Sequence, residues 1–387
     1  MMITEDRAKL ANGGFIPELT GLRGFAALLI IVNHLILVLP ALKDIVLPGG
    51  IKLSHFTLIC GLAGMSLFFI LSGIVIYYTY AQRILDRPVL GIKNFIVARF
   101  ARLYPLYFVF IVFFFFWNLK NVPQMIAENL TSLPLFLAGL QSWVYGYING
   151  TQVIYLQGDA NISWSISTEF ALYFFFVPLV FAVGRGSLRK ALVLFASAFA
   201  LRIAYVYAIS RYACLTDWIS SIFPGNGDAH LLYLTYHSPY GRIFEFVAGW
   251  AIAMMYIGRT GCGRSFKWLS VLSWICSALL LGLAVFDVFK GWSSMLISSC
   301  LMLFCFGLPC IGSCVLRSRL LMFLGDVSYS AYLLHIFFVV ILQYWGTEHG
   351  KILETLAKFL LFTYVAAWIS YRYFETPVRR KIRDVLK

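Results

Sequence analysis

Charged side chains are scarce in this sequence. Asp, Glu, Lys and Arg together make up only 12% of the 387 residues, whereas hydrophobic types make up 61% and aromatic types 17%. The mean hydropathy is +0.82. Soluble domains carry about twice as much charge, so the composition excludes a soluble globular protein and predicts an integral membrane protein.

The chain also lacks a cysteine pattern typical of a disulfide framework or a zinc site. Of its eight cysteines, only Cys214 and Cys262 lie in connecting segments. We predict these two connections to be on opposite sides of the membrane, where two thiols do not pair. We therefore expect neither disulfides nor a bound metal ion. The cysteines in or at the ends of apolar segments are Cys60, Cys276, Cys300, Cys305, Cys310 and Cys314.

Acidic residues are the rarer of the two charged classes. The chain has 17 Asp and Glu against 31 Lys and Arg, which gives a net charge of +14. The basic residues are not gathered into one patch that also bears aromatic side chains, and no nucleic-acid-binding motif accompanies them. We therefore expect membrane lipids as partners and no nucleic acid.

Ten apolar segments are long enough to cross a hydrocarbon core of ~30 Å as helices. They are residues 22–40, 57–80, 103–117, 164–183, 190–208, 241–258, 268–286, 293–314, 327–345 and 354–372. The even-numbered connections and the two tails, with their span ends, contain 22 of the 31 Lys and Arg. Basic residues favour the cytoplasmic side. The sequence thus predicts an all-α polytopic integral membrane protein with about ten transmembrane helices and both termini cytoplasmic.

The first apolar segment, LTGLRGFAALLIIVNHLILVLPAL, carries Arg23 at its start and His34 in its middle. Their spacing is about three helical turns, so both side chains lie on one face, separated by roughly 16 Å of rise. Ionisable groups within a membrane are functional by default. The pair suits a donor with an anionic head and a long arm, such as coenzyme A. The alternatives are that Arg23 anchors the helix at the interface and that His34 only packs helices together.

Seven motifs, in this order, resemble those of the membrane-bound acyltransferase 3 family. They are ELTGLRGFAALLIIVNHL (18–35), GMSLFFILSGIVIYY (64–78), FIVARFARLYPLYF (95–108), SWSISTEFALYFFFVP (163–178), YGRIFEFVAGW (240–250), LGDVSYSAYLLH (324–335) and YFETP (373–377). Each motif alone is weak, but the ordered set extends over nearly the whole chain. The chain is similar to the stand-alone members, such as the O-antigen and exopolysaccharide O-acetyltransferases.

The resemblance implies a single acyltransferase 3 transmembrane domain over 1–387, with short cytoplasmic tails at 1–21 and 373–387, in the bacterial inner membrane. It also implies an O-acetyltransferase that moves an acyl group from acyl-CoA to a hydroxyl. The typical acceptor is a surface polysaccharide or its lipid-linked precursor, and some members acylate macrolides or other small molecules. Acetyl-CoA would then be a co-substrate, and no bound cofactor is expected.

Candidate donor-binding residues are Arg23, Arg99 and Arg102. The last two are three positions apart at the predicted cytoplasmic end of the third span and face the same side. They either complete a phosphate clamp or anchor the helix. His34 is the candidate catalytic base, or it accepts the acyl group itself as a transient acyl-imidazole. Direct attack needs both substrates in one cavity, whereas the covalent route carries the acyl group across in two steps.

Polar side chains are also predicted near the outer ends of later spans. Glu169, a second catalytic candidate, and Glu245 lie at a similar depth, with Trp164, Arg202 and Arg242 in the same layer. A carboxylate in lipid costs about 2.5–3.5 kcal/mol on insertion scales, so both need partners or a wet cavity. They form either an acceptor site, with the carboxylates on sugar hydroxyls or orienting the first span's histidine, or Glu–Arg pairs that hold helices together.

His335 completes the set of candidate residues. It lies about 13 Å along the ninth span from Asp326, the expected N-cap. At that depth it either supports His34 from behind or only packs.

Two functions of other classes compete with acyl transfer. One is a secondary transporter or lipid-linked glycan flippase, but such proteins often show inverted repeats, and this sequence shows none. The other is a non-enzymatic scaffold, which leaves the shared face of Arg23 and His34 unexplained. Thiol release from acyl-CoA favours the enzyme, and uptake of substrate without acyl transfer favours the transporter.

Overall fold

The structure is a computed structural model that describes residues 16–211, 222, 227–257, 264–286, 292–307, 315–345 and 352–386. Within these residues, Cys60, Cys276, Cys300 and Cys305 are free thiols. The other cysteines considered above, Cys214, Cys262, Cys310 and Cys314, lie outside the described residues.

The described chain is almost entirely helical. In chain order the α-helices are α1 Pro17–Val38, α2 Leu53–Ile76, α3 Gln82–Asp86, α4 Pro88–Asn121, α5 Ile126–Ala138, α6 Trp164–Val183, α7 Leu188–Arg211, α8 Gly227–Leu232, α9 Pro239–Ile257, α10 Arg264–Val285, α11 Ser293–Gly307, α12 Arg319–Asp326, α13 Ser328–Trp345, α14 Ile352–Ser370 and α15 Thr376–Val385. Turns of π-helix are Tyr77–Ala81, Tyr233–His237 and Tyr371–Glu375. Turns of 3₁₀-helix are Pro40–Leu42, Pro123–Met125, Val153–Tyr155 and Gly158–Ser163. Two antiparallel hairpins pair β1 Val46–Leu47 with β2 Ile51–Lys52, and β3 Tyr147–Ile148 with β4 Thr151–Gln152.

Each predicted span overlaps a helix of the described part of the chain, but the lengths differ. Within the described residues, 7 helical segments are long and apolar enough to cross a membrane, or 8 if the bent pair α12 and α13 is one span. α11, with 15 residues, is shorter than a span. The protein is therefore an all-α polytopic membrane protein, while the count of ten spans and the cytoplasmic termini stay predictions.

The helices form two compact units, each assembled from separate stretches of the chain. The first unit consists of Met1–Asp86, Val183–Leu201 and Phe244–Tyr371. The second unit consists of Arg87–Ala182, Arg202–Ile243 and Arg372–Lys387. The chain enters each unit three times, so the units are not successive domains along the sequence.

Glycines allow close helix crossings in the first unit. A β-carbon at Gly64 of α2 would lie 2.6 Å from the carbonyl oxygen of Ala26 in α1. One at Gly24 of α1 would lie 2.6 Å from the carbonyl oxygen of Leu321 in α12. Small residues at such crossings are typical of membrane helix packing. α1 is thereby fixed against both α2 and α12, which determines where its polar side chains point.

A buried hydroxyl network holds the second unit together. The Ser142 hydroxyl lies 2.9 Å from the hydroxyls of Ser167 and Thr168 in α6. Just before it, α5 ends at Ala138 and is capped by Gly139, whose φ of 68° is the left-handed conformation that commonly ends a helix. Buried polar groups that satisfy one another in this way fix a segment in one position. The network therefore holds the chain after α5 against the first turn of α6.

Candidate active site

α1 presents both of its polar residues to the bent helix pair. Pro17 in the first turn and Glu18 beside it are favourable at a helix N-terminus. Arg23 contacts the point where α12 and α13 meet at 72°, and His34 contacts α13 further along. The shared face that the spacing predicts is thus present in the structure.

His34 and His335 form a histidine pair within the first unit. The Nε2 of His335 lies 3.2 Å from the Nδ1 of His34, and the ring centroids are 4.8 Å apart. The same Nδ1 of His34 lies 2.9 Å from the carbonyl oxygen of Ile30. The Nδ1 of His335 lies 3.3 Å from the carbonyl oxygen of Ala331. His335 is fully buried, whereas His34 is partly exposed.

One arrangement of protons satisfies all three contacts, and we assign it on that basis. His335 donates its Nδ1–H to Ala331, which leaves a lone pair on its Nε2. His34 then shares its Nδ1–H between Ile30 and that lone pair. The remaining nitrogen of His34, Nε2, has no partner among the described residues. A neutral imidazole held in one tautomer, with one nitrogen available, is the form that a general base or nucleophile needs.

Arg23 stabilises the bend between α12 and α13. Its Nη2 donates to the carbonyl oxygen of Gly325 at 2.8 Å and lies 3.2 Å from the hydroxyl of Ser328. Carbonyl groups at a helix end lack intrahelical partners, and the guanidinium supplies a donor there. Asp326, the expected N-cap of a helix around His335, is instead the last residue of α12, because α13 begins at Ser328.

Glu245 is fully buried in α9 and contacts α2. Its Oε1 accepts a hydrogen bond from the Ser66 hydroxyl at 2.8 Å. A buried carboxylate needs such partners. This contact joins two helices of the first unit about two turns from Gly73, where α2 and α9 also cross closely.

A charged cluster joins α4, α6 and α15 in the second unit. Its members are Arg99, Arg102, Glu169, Tyr173 and Arg379, which interact electrostatically. The hydroxyl of Tyr173 donates to the Glu169 carboxylate. Arg379 belongs to α15, which packs against α4. The three arginines outnumber the single carboxylate, so these residues together suit an anionic group such as a phosphate.

The predicted separation of Glu169 from Arg99 and Arg102 is wrong. The predicted third span starts at residue 103, so Arg102 was expected just outside it. In the structure, α4 starts at Pro88 and has 34 residues. Arg102 is therefore about 21 Å along the helix, where Glu169 of α6 lies beside it. The span prediction counted apolar residues, whereas Lys and Arg are good helix formers and do not end a helix.

Arg242 and Trp164, both predicted from the sequence, come together in the second unit. The Arg242 guanidinium lies 4.2 Å from the ring centroid of Tyr236 and 5.9 Å from that of Trp164. Both are cation–π distances. The Nε of Arg242 also donates to the carbonyl oxygen of Tyr236 at 2.7 Å. The fully buried arginine thus packs against two aromatic rings.

Arg202 donates hydrogen bonds to backbone carbonyl groups. It is fully buried, and its Nη1 donates to the carbonyl oxygens of Thr235 at 3.0 Å and Gly241 at 2.9 Å. These contacts fix the π-helical turn before α9 against the first residues of that helix. Its contacts with these carbonyl groups give it a structural role.

Sequence reasoning missed His237, which lies beside Arg242 and Trp164. Its ring centroid is 4.9 Å from that of Trp164 and 5.1 Å from that of Tyr236. The available signal was the stretch YLTYHSPYGR, in which aromatic residues flank a histidine just before an arginine. Nothing in the sequence shows that the histidine is buried, because that depends on Trp164, which lies far away along the chain.

The acyltransferase family 3 model, described as an acyltransferase domain, matches residues 16–371. The curated "Acyltransferase MdmB" of Streptomyces mycarofaciens is 28% identical over 332 residues, which cover 83% of this chain and 78% of that protein. No solved structure matches the chain.

Proposed function

Because the chain belongs to the acyltransferase 3 family, we propose that it transfers an acetyl group from acetyl-CoA to a hydroxyl of a surface polysaccharide or of its lipid-linked precursor, in the bacterial inner membrane. Membership of the family makes the protein an acyltransferase with several membrane spans. It speaks against the transporter, flippase and scaffold hypotheses, none of which includes acyl transfer.

The observation that carries the proposal is the histidine pair. The Nε2 of His34 takes the proton of the acceptor hydroxyl while the oxygen attacks the thioester carbon, and the thiolate of coenzyme A leaves. In the covalent variant, the same nitrogen attacks the thioester carbon first, and the thiolate of coenzyme A leaves. The acceptor oxygen then attacks the acyl-imidazole, the acyl–nitrogen bond breaks, and the hydroxyl proton passes to the released Nε2. In both, His335 is a positioning residue, because it accepts from Nδ1–H and so keeps Nε2 deprotonated.

The donor's phosphates are proposed to bind arginines. Arg99 and Arg102 belong to a cluster with excess positive charge. Bidentate contacts from guanidinium groups suit phosphate oxygens. Arg23 stays a donor-binding candidate, and its contacts with the bend add a structural part. Glu169, adjacent to these arginines, fits a role in orienting them.

Replacing His34 with Ala is expected to abolish transfer. The assay uses purified protein in lipid nanodiscs, labelled acetyl-CoA, and polysaccharide extracted from the surface of cells that lack the gene. Loss of a general base lowers a rate by about 10²–10⁴-fold, so both thiol release and labelling of polysaccharide should fall by at least about 100-fold. H335N should lower kcat without changing the KM for acetyl-CoA.

The matched control is His55→Ala. His55 lies in the same unit, and its Nε2 lies 3.1 Å from the carbonyl oxygen of Ala284. This variant should keep the wild-type rate within about threefold. A folded H34A protein with wild-type activity would contradict the mechanism.

A further inference from the structure

We propose that the aromatic cluster around His237 binds a hydroxyl-bearing carbohydrate ring. We call it the aromatic box, and its members are Tyr155, Trp164, Tyr236, His237 and Arg242. The inference deepens the proposed function and rests on it, because the carbohydrate would be the acceptor of that reaction. All five residues belong to the second unit.

The rings of the aromatic box stand nearly perpendicular to the His237 imidazole. The interplanar angles are 78° to Trp164, 76° to Tyr236 and 89° to Tyr155, whose centroid is 5.9 Å away. Tyr155 is 37% exposed, whereas Trp164 and His237 are each 8% exposed. The aromatic box thus has an accessible edge at Tyr155 and a buried interior at Trp164 and His237.

The interior contains a polar atom that the described protein does not satisfy. The Nδ1 of His237 is buried and has no hydrogen-bond partner among the described residues. The Thr168 hydroxyl donates to the backbone carbonyl of His237 at 2.8 Å, which fixes the residue in place. A buried nitrogen without a partner costs free energy comparable to a lost hydrogen bond. A ligand hydroxyl at Nδ1 would recover that energy.

His230 shows that the same segment can satisfy a buried histidine. It is also fully buried, and its Nδ1 pairs with the hydroxyl of Tyr145. The two histidines are seven positions apart in one unit. The difference between them therefore points to a ligand at His237, and it supplies a matched control.

The charges in the aromatic box favour a neutral ligand. Burial and the nearby Arg242 guanidinium lower the pKa of His237 to about 3, so the imidazole is neutral at physiological pH. A neutral imidazole offers one donor and one acceptor, which matches a hydroxyl group. The Arg242 charge is packed against the rings of Tyr236 and Trp164. Aromatic surface with a few placed polar groups suits the C–H face and hydroxyls of a sugar ring better than a phosphate.

The test measures binding of the polysaccharide from cells that lack the gene to the protein in nanodiscs, by calorimetry. H237F keeps a ring but removes the nitrogen, so the dissociation constant should rise about tenfold, the effect of one hydrogen bond. H237N keeps a polar atom near the position of Nδ1 and should bind within about threefold of wild type. Y155L should also weaken binding, whereas the control H230F should not. The KM for acetyl-CoA should be unchanged throughout.

Each outcome decides the inference. Wild-type affinity in folded H237F, or no binding by the wild type, overturns it. If H237F does not fold, Y155L decides, since its side chain is partly exposed. Parallel transfer assays separate the two proposals. Polysaccharide binding that depends on His237, without any acetyl transfer, would support the aromatic box and contradict the proposed function. Acetyl transfer by the wild type, with polysaccharide binding unchanged in the variants, would support the proposed function and contradict the aromatic box.

Discussion

Three of the six histidines in the chain differ in the hydrogen-bond partners of their ring nitrogens. His34 has its Nδ1 occupied by two acceptors and its Nε2 available, which is the state of a base. His230 has a tyrosine hydroxyl at its Nδ1, and His237 has no partner there among the described residues. Burial alone therefore does not define a role, because His230 and His237 are both buried and differ only in what they contact.

Acid is expected to destabilise the second unit through His237. Its pKa is about 3 in the folded protein and about 6.5 when exposed, so the unfolded state binds more protons between these values. Stability from this residue is thus complete above about pH 6.5 and is lost, by up to ~1.4 kcal/mol per pH unit, as the pH falls. H237F should lack this loss. The melting temperature of H237F minus that of wild type should therefore rise as the pH falls from 7.5 to 5, while the difference between Y155L and wild type stays constant.

At the scale of elements, sequence patterns predicted helices well and their contacts poorly. The residue types around the site were predictable, since His34, His335, Trp164 and Arg242 are polar or aromatic at span ends and centres. Their pairing was not, because His34 and His335 are 301 positions apart. The contact of Arg23 with the bend of α12 and α13 was not predictable either, because Arg23 is 302 positions from Gly325. The predicted third span begins at residue 103, whereas α4 begins at Pro88. The prediction counted apolar residues and took no account of helix propensity, which is high for Lys and Arg.

Close helix crossings should be the least tolerant positions in the first unit. A β-carbon at Gly73 of α2 would overlap the carbonyl oxygen of Phe246, and one at Gly249 of α9 would overlap that of Ile70. Overpacking costs about 1–3 kcal/mol. Gly73→Ala should therefore lower the melting temperature in nanodiscs, or prevent folding. Gly282→Ala is the control, because nothing lies within 4 Å of its β-carbon position. Equal melting temperatures for the two variants would contradict the packing argument.

At the scale of the whole molecule, the length of one helix predicts the topology around it without a count of all the spans. α4 has 34 residues, about 51 Å, which exceeds a hydrocarbon core of ~30 Å. The residues just before and just after it should therefore lie on opposite sides of the membrane. The distribution of Lys and Arg predicts that the side before α4 is cytoplasmic.

Cysteine labelling tests this sidedness. In a cysteine-free background, Gln124→Cys, in the exposed turn after α4, should react with an impermeant thiol reagent in intact cells. Asp86→Cys, at the end of α3, should react only after lysis. Both are exposed positions, so differences in burial do not confound the comparison. Labelling of both in intact cells would show that α4 does not cross the membrane as proposed.

The contact between Arg23 and Gly325 can form only late in synthesis, because the two residues are far apart along the chain. The two residues are 302 positions apart, and ribosomes add about 5–20 residues per second. α1 thus enters the membrane about 15–60 s before the helices that its polar side chains will contact. During that interval Arg23 and His34 are without their partners, and a chain interrupted before Ser328 never acquires them. Assembly of the histidine pair is therefore a late step in the biogenesis of the protein, although one of its members belongs to the earliest of the described helices.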